Sequence, residues 1–360
     1  MRLALALVLA GVVAAAATAA YGHGAAGGVP SGFEPETAAA VGARDYWIFG
    51  DYRCSSGWCP ALVRSTDAGG HFARIAGPPL TSQGTTPTLV FANARDGYAY
   101  TWTQSPLYVT HDGGTSWRRI SGGSAVALAV GGREVYAVTA RCSDARGCRS
   151  FRFRRSTVAR EDWHSLSLPL RSGLPFSLAA HSDHLWLLGE TNSGKHYLDR
   201  LARSMNGGRT FAVRAGPCFA DLGGRIVPAG DGVVWAVCPS GMMAGLTQST
   251  NGGRSFTARS FHDPGGLRLP ALTNGASLVT TSHHGAVLYR GVEGPLLRTV
   301  DAGGHWIRAA GTGHLGDVLW LGFSTHRVGA AVAASRSHPG RILFLRTADG
   351  GATWHSVPVR

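Results

Sequence analysis

The sequence predicts an all-β fold: a seven-bladed β-propeller whose blades are four-stranded antiparallel sheets. Three observations predict it. An eight-residue window, Ser/Thr-x-Asp/Asn-x-Gly-x-x-Trp/Phe, occurs six times intact and once in worn form. The copies are evenly spaced, at the interval of one propeller blade. Finally, 51 glycines and 17 prolines punctuate the 360 residues with turns, which implies many short strands.

The intact windows are Ser65–Phe72, Thr110–Trp117, Ser204–Phe211, Ser249–Phe256, Thr299–Trp306 and Thr347–Trp354. The worn copy, Ser156–Trp163, keeps its Ser and Trp but carries Val158 and Arg160 in place of the acid and the glycine. With starts at 65, 110, 156, 204, 249, 299 and 347, successive copies lie 45, 46, 48, 45, 50 and 48 residues apart. Each window has a physical logic. The side chains of Asp67, Asp112, Asn206, Asn251, Asp301 and Asp349 accept hydrogen bonds from nearby backbone N–H groups and hold a tight turn. The glycine supplies a backbone conformation with positive φ. The aromatics Phe72, Trp117, Trp163, Phe211, Phe256, Trp306 and Trp354 start the outgoing strand and bury a ring between sheets. Each window is thus a hairpin between the third and fourth strands of a blade. Because Asn stands for Asp in two intact copies, the position is structural rather than a catalytic acid or calcium ligand. The worn copy should form the least regular hairpin.

Alternation places the strands between windows. The second blade has an inner strand at 85–92, then strands at 97–102 and 106–110 and an outer strand at 117–121. The third repeats this at 125–130, 134–139, 151–156 and 163–168. The seventh does so at 317–324, 328–334, 341–347 and 354–359. With an inner strand at 33–41, every blade is one contiguous stretch, so the first and seventh blades meet by face packing with no strand exchanged. The window turns share one face with the turns between strands one and two. The loops between strands two and three share the other with the connections between blades.

Residues 1–20 read as a signal peptide. Arg2 precedes an apolar run, and Ala17-Thr18-Ala19 fits a small-residue cleavage site. The run is also just long enough for an uncleaved N-terminal anchor. Residues 21–31 read as a flexible linker and 32–360 as the propeller. The six cysteines pair locally as Cys54 with Cys59, Cys142 with Cys148 and Cys218 with Cys238, consistent with export. No metal-knuckle spacing or cofactor motif is present, so no cofactor or metal is expected.

The formal charge is +13, and Lys195 is the only lysine beside the arginines. A basic surface outside a cell attracts wall polymers, anionic lipid heads and acidic glycans. No dense basic run or nucleic-acid motif appears, so a nucleic-acid partner is not expected. Five windows are directly preceded by arginine: Arg64, Arg155, Arg203, Arg298 and Arg346. These side chains either pack their stems on neighbouring strands or form a positive ring at the rim. His283-His284 and the pair His181 and His184 fall in turns between first and second strands and read as exposed turn histidines.

The window resembles the Asp-box, or BNR repeat, of the sialidase-like β-propellers, over nearly the whole chain after the signal. That repeat occurs in sialidases, xyloglucanases, sortilin-type receptors and photosystem II assembly factors, so the resemblance implies a fold rather than an activity. An exo-sialidase has six blades, three carboxylate-clamping arginines and a Tyr/Glu pair. The nearest string to its Arg-Ile-Pro motif is Arg225-Ile226-Val227-Pro228, with an inserted Val and in the fifth blade. A xyloglucanase-like glycosidase needs two opposed carboxylates. The six glutamates are Glu34, Glu36, Glu134, Glu161, Glu190 and Glu293, of which Glu190 and Glu293 fall on the two-to-three face. The photosystem factors resemble this chain in blade number and exported address. The expectation is therefore a secreted, monomeric, non-catalytic propeller that binds a protein or an anionic glycan or cell-wall polymer. The alternative is an exo-sialidase-like glycoside hydrolase.

Overall fold

The computed structural model describes residues 27–360 apart from 81–84, 103–104, 144–146, 171–176, 193–196, 219–222, 231, 260–271, 274 and 339. The expected signal segment 1–20 and the first part of the 21–31 linker lie outside the described residues.

Twenty-eight strands and no helix make up the described structure. The first repeat contains β1 (Glu34–Val41), β2 (Asp45–Cys54), β3 (Gly57–Ser65) and β4 (Ala73–Ile75). The second contains β5 (Thr88–Phe91), β6 (Gly97–Tyr100), β7 (Pro106–Thr110) and the start of β8 (Arg118–Gly131). The third takes the end of β8 with β9 (Glu134–Ser143), β10 (Gly147–Thr157) and β11 (His164–Leu166). The fourth has β12 (Ser177–His181), β13 (His184–Asn192), β14 (Tyr197–Ser204) and β15 (Ala212–Ala215). The fifth has β16 (Arg225–Pro228), β17 (Val234–Ser240), β18 (Met243–Ser249) and β19 (Thr257–Ala258), with β20 (Leu272–Thr273) added on β18. The sixth has β21 (Ala276–Thr280), β22 (Ala286–Arg290), β23 (Leu297–Thr299) and β24 (Ile307–Arg308). The seventh has β25 (Leu315–Phe323), β26 (Gly329–Ser335), β27 (Ile342–Thr347) and β28 (His355–Val357).

The first, fourth, sixth and seventh repeats are each a four-stranded sheet with strands in chain order. The second and third depart from the expectation of separate sheets. Where outer and inner strands were expected at 117–121 and 125–130, the single strand β8 pairs with β7 at its start and β9 at its end, giving one seven-stranded sheet. Ser124 is the pivot, opposite both Pro106 and Ala140. Gly122 and Gly123, at φ 125° and 106°, let the chain swing from one ladder to the next without an intervening loop.

Alternation along each strand builds the interior. In β17, Val234 and Ala236 enter an apolar cluster shared with the fourth repeat. Trp235 and Val237 enter the one shared with the sixth. Seven such clusters occur, each between two repeats adjacent in the chain, except that the last joins Ala38, Tyr46 and Ile48 to Ala330, Val332 and Phe344. The first and last sheets thus pack face to face, and no strand pair joins them among the described residues. This is a β-propeller arrangement, with antiparallel sheets packed through their faces. The end of the expected flexible linker is pinned to it, because the outer edge of the first sheet is open: the Arg74 N–H donates to the Gly27 carbonyl at 2.8 Å.

The windows form the turns before the fourth strands. In the first, Ser65 Oγ accepts from the Gly69 N–H at 2.9 Å and donates to Asp67 Oδ1 at 2.8 Å. Asp67 Oδ1 then accepts from the His71 N–H at 2.9 Å. The hydroxyl that opens the window is therefore a second organiser of the turn. The seventh position is a third, which the sequence pattern did not flag. Its side chain bonds the acid or amide: His71 to Asp67, Ser116 to Asp112, Thr210 to Asn206, Ser255 to Asn251, His305 to Asp301 and Thr353 to Asp349. Two consecutive residues take positive φ, and at Ala68 (68°) and Ala302 (58°) the first of them is not glycine.

The worn window keeps a polar clasp by moving its acceptor. Asp162, at the seventh position, accepts from Ser156 Oγ at 2.9 Å and from the Thr157 N–H at 2.8 Å. Of the window aromatics, Phe72, Trp117, Trp306 and Trp354 are buried, while Trp163, Phe211 and Phe256 are only half-buried.

Polar bonds reach from repeat to repeat at the window end. Trp47 Nε1 donates to the Gly113 carbonyl at 2.8 Å and Trp186 Nε1 to that of Gly252 at 2.9 Å. Three of the arginines that precede windows do likewise. Arg64 Nη2 donates to the Ala94 carbonyl at 3.1 Å, Arg298 Nε to the Gly350 carbonyl at 2.8 Å, and Arg346 Nε to the Tyr46 hydroxyl at 3.1 Å. For these three, packing and bonding between repeats account for the residue better than a ring of rim charge does.

Candidate functional site

The inner strands β16, β21 and β25 converge on a cleft of about 460 Å³, at the end of the sheets away from the windows. Alternation turns Arg225 and Ser277 into it, and Leu319 and Trp320 supply an apolar wall. Val237, Pro239 and Ala244 form its side. The Cys218–Cys238 disulfide braces that side, since Cys238 lies between two lining residues and Gly224 packs on its partner sulfur. A Cβ at Gly224 would come within 2.5 Å of Cys218 Sγ.

Arg225 Nη1 donates to Ser277 Oγ at 3.1 Å. The guanidinium is open to solvent but ringed by protein. Loss of bulk water holds its pKa below the ordinary arginine value, against the opposing influence of Tyr100. Tyr100 comes from β6 of the second repeat. Its buried hydroxyl is pushed up by desolvation, against hydrogen bonds from Thr88 and Leu128 and the charge of Arg225. The inner strand of the fifth repeat and the second strand of the second thus share one electrostatic environment. Chemically, the cleft offers a solvent-facing guanidinium ringed by protein, a hydroxyl, an indole and aliphatic surface. A guanidinium so placed binds carboxylates well, through paired N–H donors.

Of the two glutamates placed on the face away from the windows, Glu293 is exposed and pairs with Arg336 at 3.2 Å. Glu190 is buried in β13, directly opposite Asp199 of β14. Burial pushes the Asp199 carboxyl up to about 6, with Glu190 adding to the rise, although its Oδ2 accepts from the Cys218 N–H at 2.8 Å. The pair lies under the connection to the fifth repeat, and neither carboxylate lines the cleft. The other two disulfides, Cys54–Cys59 and Cys142–Cys148, close the β2–β3 and β9–β10 hairpins as the spacing suggested. The window residues all lie at the opposite end of the sheets. Arg225 opens the Arg225-Ile226-Val227-Pro228 string, whose inserted valine departs from the Arg-Ile-Pro motif of the sialidases. Its place in the cleft depends on which inner strands meet, a non-local fact.

The fold places the chain among the β-propellers. No protein-family model and no curated protein matches the sequence. Solved structures do match. One described as YCF48 bound to D1 peptide aligns at a TM-score of 0.56 with 15% identity, over 90% of this chain and 94% of that one. YCF48 from Cyanidioschyzon merolae aligns at 0.53 with 12% identity, over 89% and 97%. A puromycin-hydrolyzing peptidase of Mycobacterium tuberculosis aligns at 0.58 with 12% identity, over 91% of this chain but 53% of that one. At these identities the likeness is one of fold.

Proposed function

We propose that this chain is an extracytoplasmic, seven-bladed propeller of the Asp-box type that binds a protein partner without turning it over, holding an acidic peptide segment in the Arg225 cleft. The observation that carries the reading is Arg225 itself, a solvent-facing guanidinium seated in the cleft beside Ser277 Oγ and the Leu319–Trp320 wall. Such a site rewards a carboxylate flanked by apolar side chains. The seven inter-repeat clusters support the blade count, and three disulfides are compatible with an oxidising compartment. The likeness to a propeller described as bound to a peptide supports a protein partner over a glycan. The non-catalytic reading rests on the lining, in which the described residues supply one cation and no carboxylate pair.

The test is titration of a fluorescent library of acidic and amidated peptides. Tight binders should depend on their carboxylate, and Arg225→Gln should weaken them by about tenfold to a hundredfold without altering the thermal melt. Equal affinity of the variant, or hydrolysis of aryl glycosides that a single carboxylate substitution abolishes, overturns the proposal.

A further inference from the structure

The hairpins between second and third strands carry an apolar decoration that packing does not explain. Trp58 and Trp102 are 36% and 39% exposed at the tips of the first and second repeats, and Met242 is 86% exposed at the tip of the fifth. Leu198 of the fourth repeat, Met243 of the fifth and Val292 of the sixth are exposed at the same kind of position. A lone exposed apolar residue means little, but these tips belong to five repeats and all project from the face away from the windows.

Exposed arginines occur on both faces, and on this one they stand beside the apolar tips. On the apolar-tipped face, Arg53, Arg141, Arg149, Arg336 and Arg341 are exposed, and the exposed described carboxylates are Glu34, Glu293 and Asp317. Arg336 holds Glu293 and the Tyr289 hydroxyl holds Asp317, at 3.2 and 2.9 Å. At the window face, Asp112, Asp162, Asp183 and Asp301 are exposed among Arg44, Arg95, Arg133, Arg160, Arg209, Arg254 and Arg327, so the apolar tips rather than net charge distinguish the two faces. Arg53 lies over the Trp58 ring with its guanidinium carbon 4.0 Å from the centroid, so cation and indole are presented together.

We infer that this face docks on an anionic lipid surface. A partner that meets apolar tips on five repeats at once must be broad and flat, and one that suits interspersed arginines must be negative. Indole rings and arginines favour the boundary between headgroups and acyl chains. Arginine close to a charged bilayer adds attraction that salt weakens. The Cys54–Cys59 disulfide holds the Trp58 tip of the first hairpin, and Cys142–Cys148 holds Arg141 and Arg149 at the third.

The experiment is flotation of the chain lacking residues 1–20 with phosphatidylcholine vesicles, with and without phosphatidylglycerol, alongside tryptophan emission. The expected result is capture by the phosphatidylglycerol vesicles alone, a blue-shifted emission, and loss of capture in high salt. The triple variant Trp102→Ser, Met242→Ser and Met243→Ser should weaken capture by about tenfold or more. Met205→Ser with Val300→Ser, a polar change on the window face, should leave it unchanged, and the triple variant should leave acidic-peptide binding in the Arg225 cleft intact. The cleft and the face thus fail independently. Equal capture by neutral vesicles, no capture at all, or equal loss in the window-face variant overturns the inference. So does an outcome in which the triple variant loses a peptide or protein ligand while vesicles are never bound, which would assign the face to a protein.

Discussion

Arg346 and Tyr46 are 300 positions apart, yet Arg346 Nε donates to the Tyr46 hydroxyl at 3.1 Å with its guanidinium carbon 5.0 Å from the ring centroid. Tyr46 is fully buried, and its ring meets that of Phe344 edge-on at 5.6 Å. This contact joins the last sheet to the first. Arg346→Ala should lower unfolding free energy by about 2 kcal/mol, combining a charged hydrogen bond with a cation–π contact. Tyr46→Phe, which keeps the ring, should cost about 1 kcal/mol. Urea denaturation measures both, and an effect of Arg346→Ala no larger than that of an exposed arginine such as Arg341→Ala would show that the first–last contact contributes little.

The window turns contain a local conflict that substitution can relieve. Ala68 and Ala302 sit at φ 68° and 58°, where four other windows have glycine. A left-handed alanine costs about 1–2 kcal/mol, while glycine costs about 0.5–1 kcal/mol in the unfolded chain. Ala68→Gly and Ala302→Gly should each stabilise by roughly 0.5 kcal/mol. The next position behaves oppositely. Gly303 has φ 86°, and a Cβ there would meet the Trp235 ring at 2.7 Å, so Gly303→Ala should destabilise by about 2–3 kcal/mol. Melting curves of the three variants decide the point; a stabilising Gly303→Ala would contradict the turn geometry.

Acid should loosen the windows. Hydrogen bonds from His305 and Thr299, led by the His305 N–H, outweigh desolvation at Asp301 and hold it at about 2. At Asp349 desolvation is the largest influence and would raise the pKa, but bonds from Thr353, Thr347 and Ala352 together bring it down to about 2. A carboxylate whose pKa is lower folded than unfolded stabilises fully above its unfolded value near 3.8, and that stability is lost as pH falls towards 2. Asp301→Asn with Asp349→Asn, which copies Asn206 and Asn251, should therefore flatten the drop in melting temperature between about pH 4 and pH 2. An unchanged slope would show that other carboxylates govern acid unfolding.

The buried pair acts in the opposite sense. Asp199 is raised to about 6, so its protonated form is the one that folding favours. Stability linked to it is complete below its unfolded value of 3.8 and declines as pH rises through about 6. Asp199→Asn keeps an oxygen for the Cys218 N–H and removes the charge facing Glu190. It should leave stability unaltered near pH 4 and raise it near pH 7 by up to about 2 kcal/mol, after a discount for the water that still reaches the pair. Destabilisation at neutral pH would mean that Asp199 works as an anion.

The windows were legible because each is a local device, specified within eight residues and repeated on a constant beat. Their seventh position is harder to read because His71, Ser116, Thr210, Ser255, His305 and Thr353 share a side-chain bond to the third position rather than a residue type: the four opposite Asp donate, whereas the Thr210 and Ser255 hydroxyls accept from Asn206 and Asn251. The shared strand β8 was hidden for a different reason. Gly122-Gly123 signals a turn, and only the pairing of Ser124 with both Pro106 and Ala140 makes it a pivot. The cleft was the least legible feature. Arg225, Ser277 and Trp320 lie in three different repeats, and no local pattern says that their strands converge.

The worn window gives the sharpest test of how these turns work. In it the acid has moved from the third position to the seventh, and Asp162 accepts from the Thr157 N–H and the Ser156 hydroxyl, which lowers its pKa. If the polar clasp is what holds the hairpin, Asp162→Ala should speed amide hydrogen exchange at Thr157 by about tenfold or more, while Asp162→Asn, which keeps an acceptor, should change it little. Restoring the usual pattern with Val158→Asp should not rescue the alanine variant. Val158 is buried in the cluster between the second and third repeats, its N–H donates to the Arg133 carbonyl at 3.0 Å, and its own carbonyl accepts from the Tyr98 hydroxyl at 3.0 Å. An acid there would be buried in an apolar cluster rather than bent back over the turn. Rescue by Val158→Asp would mean that the window tolerates either position freely and that the migration of the acid has no structural cause.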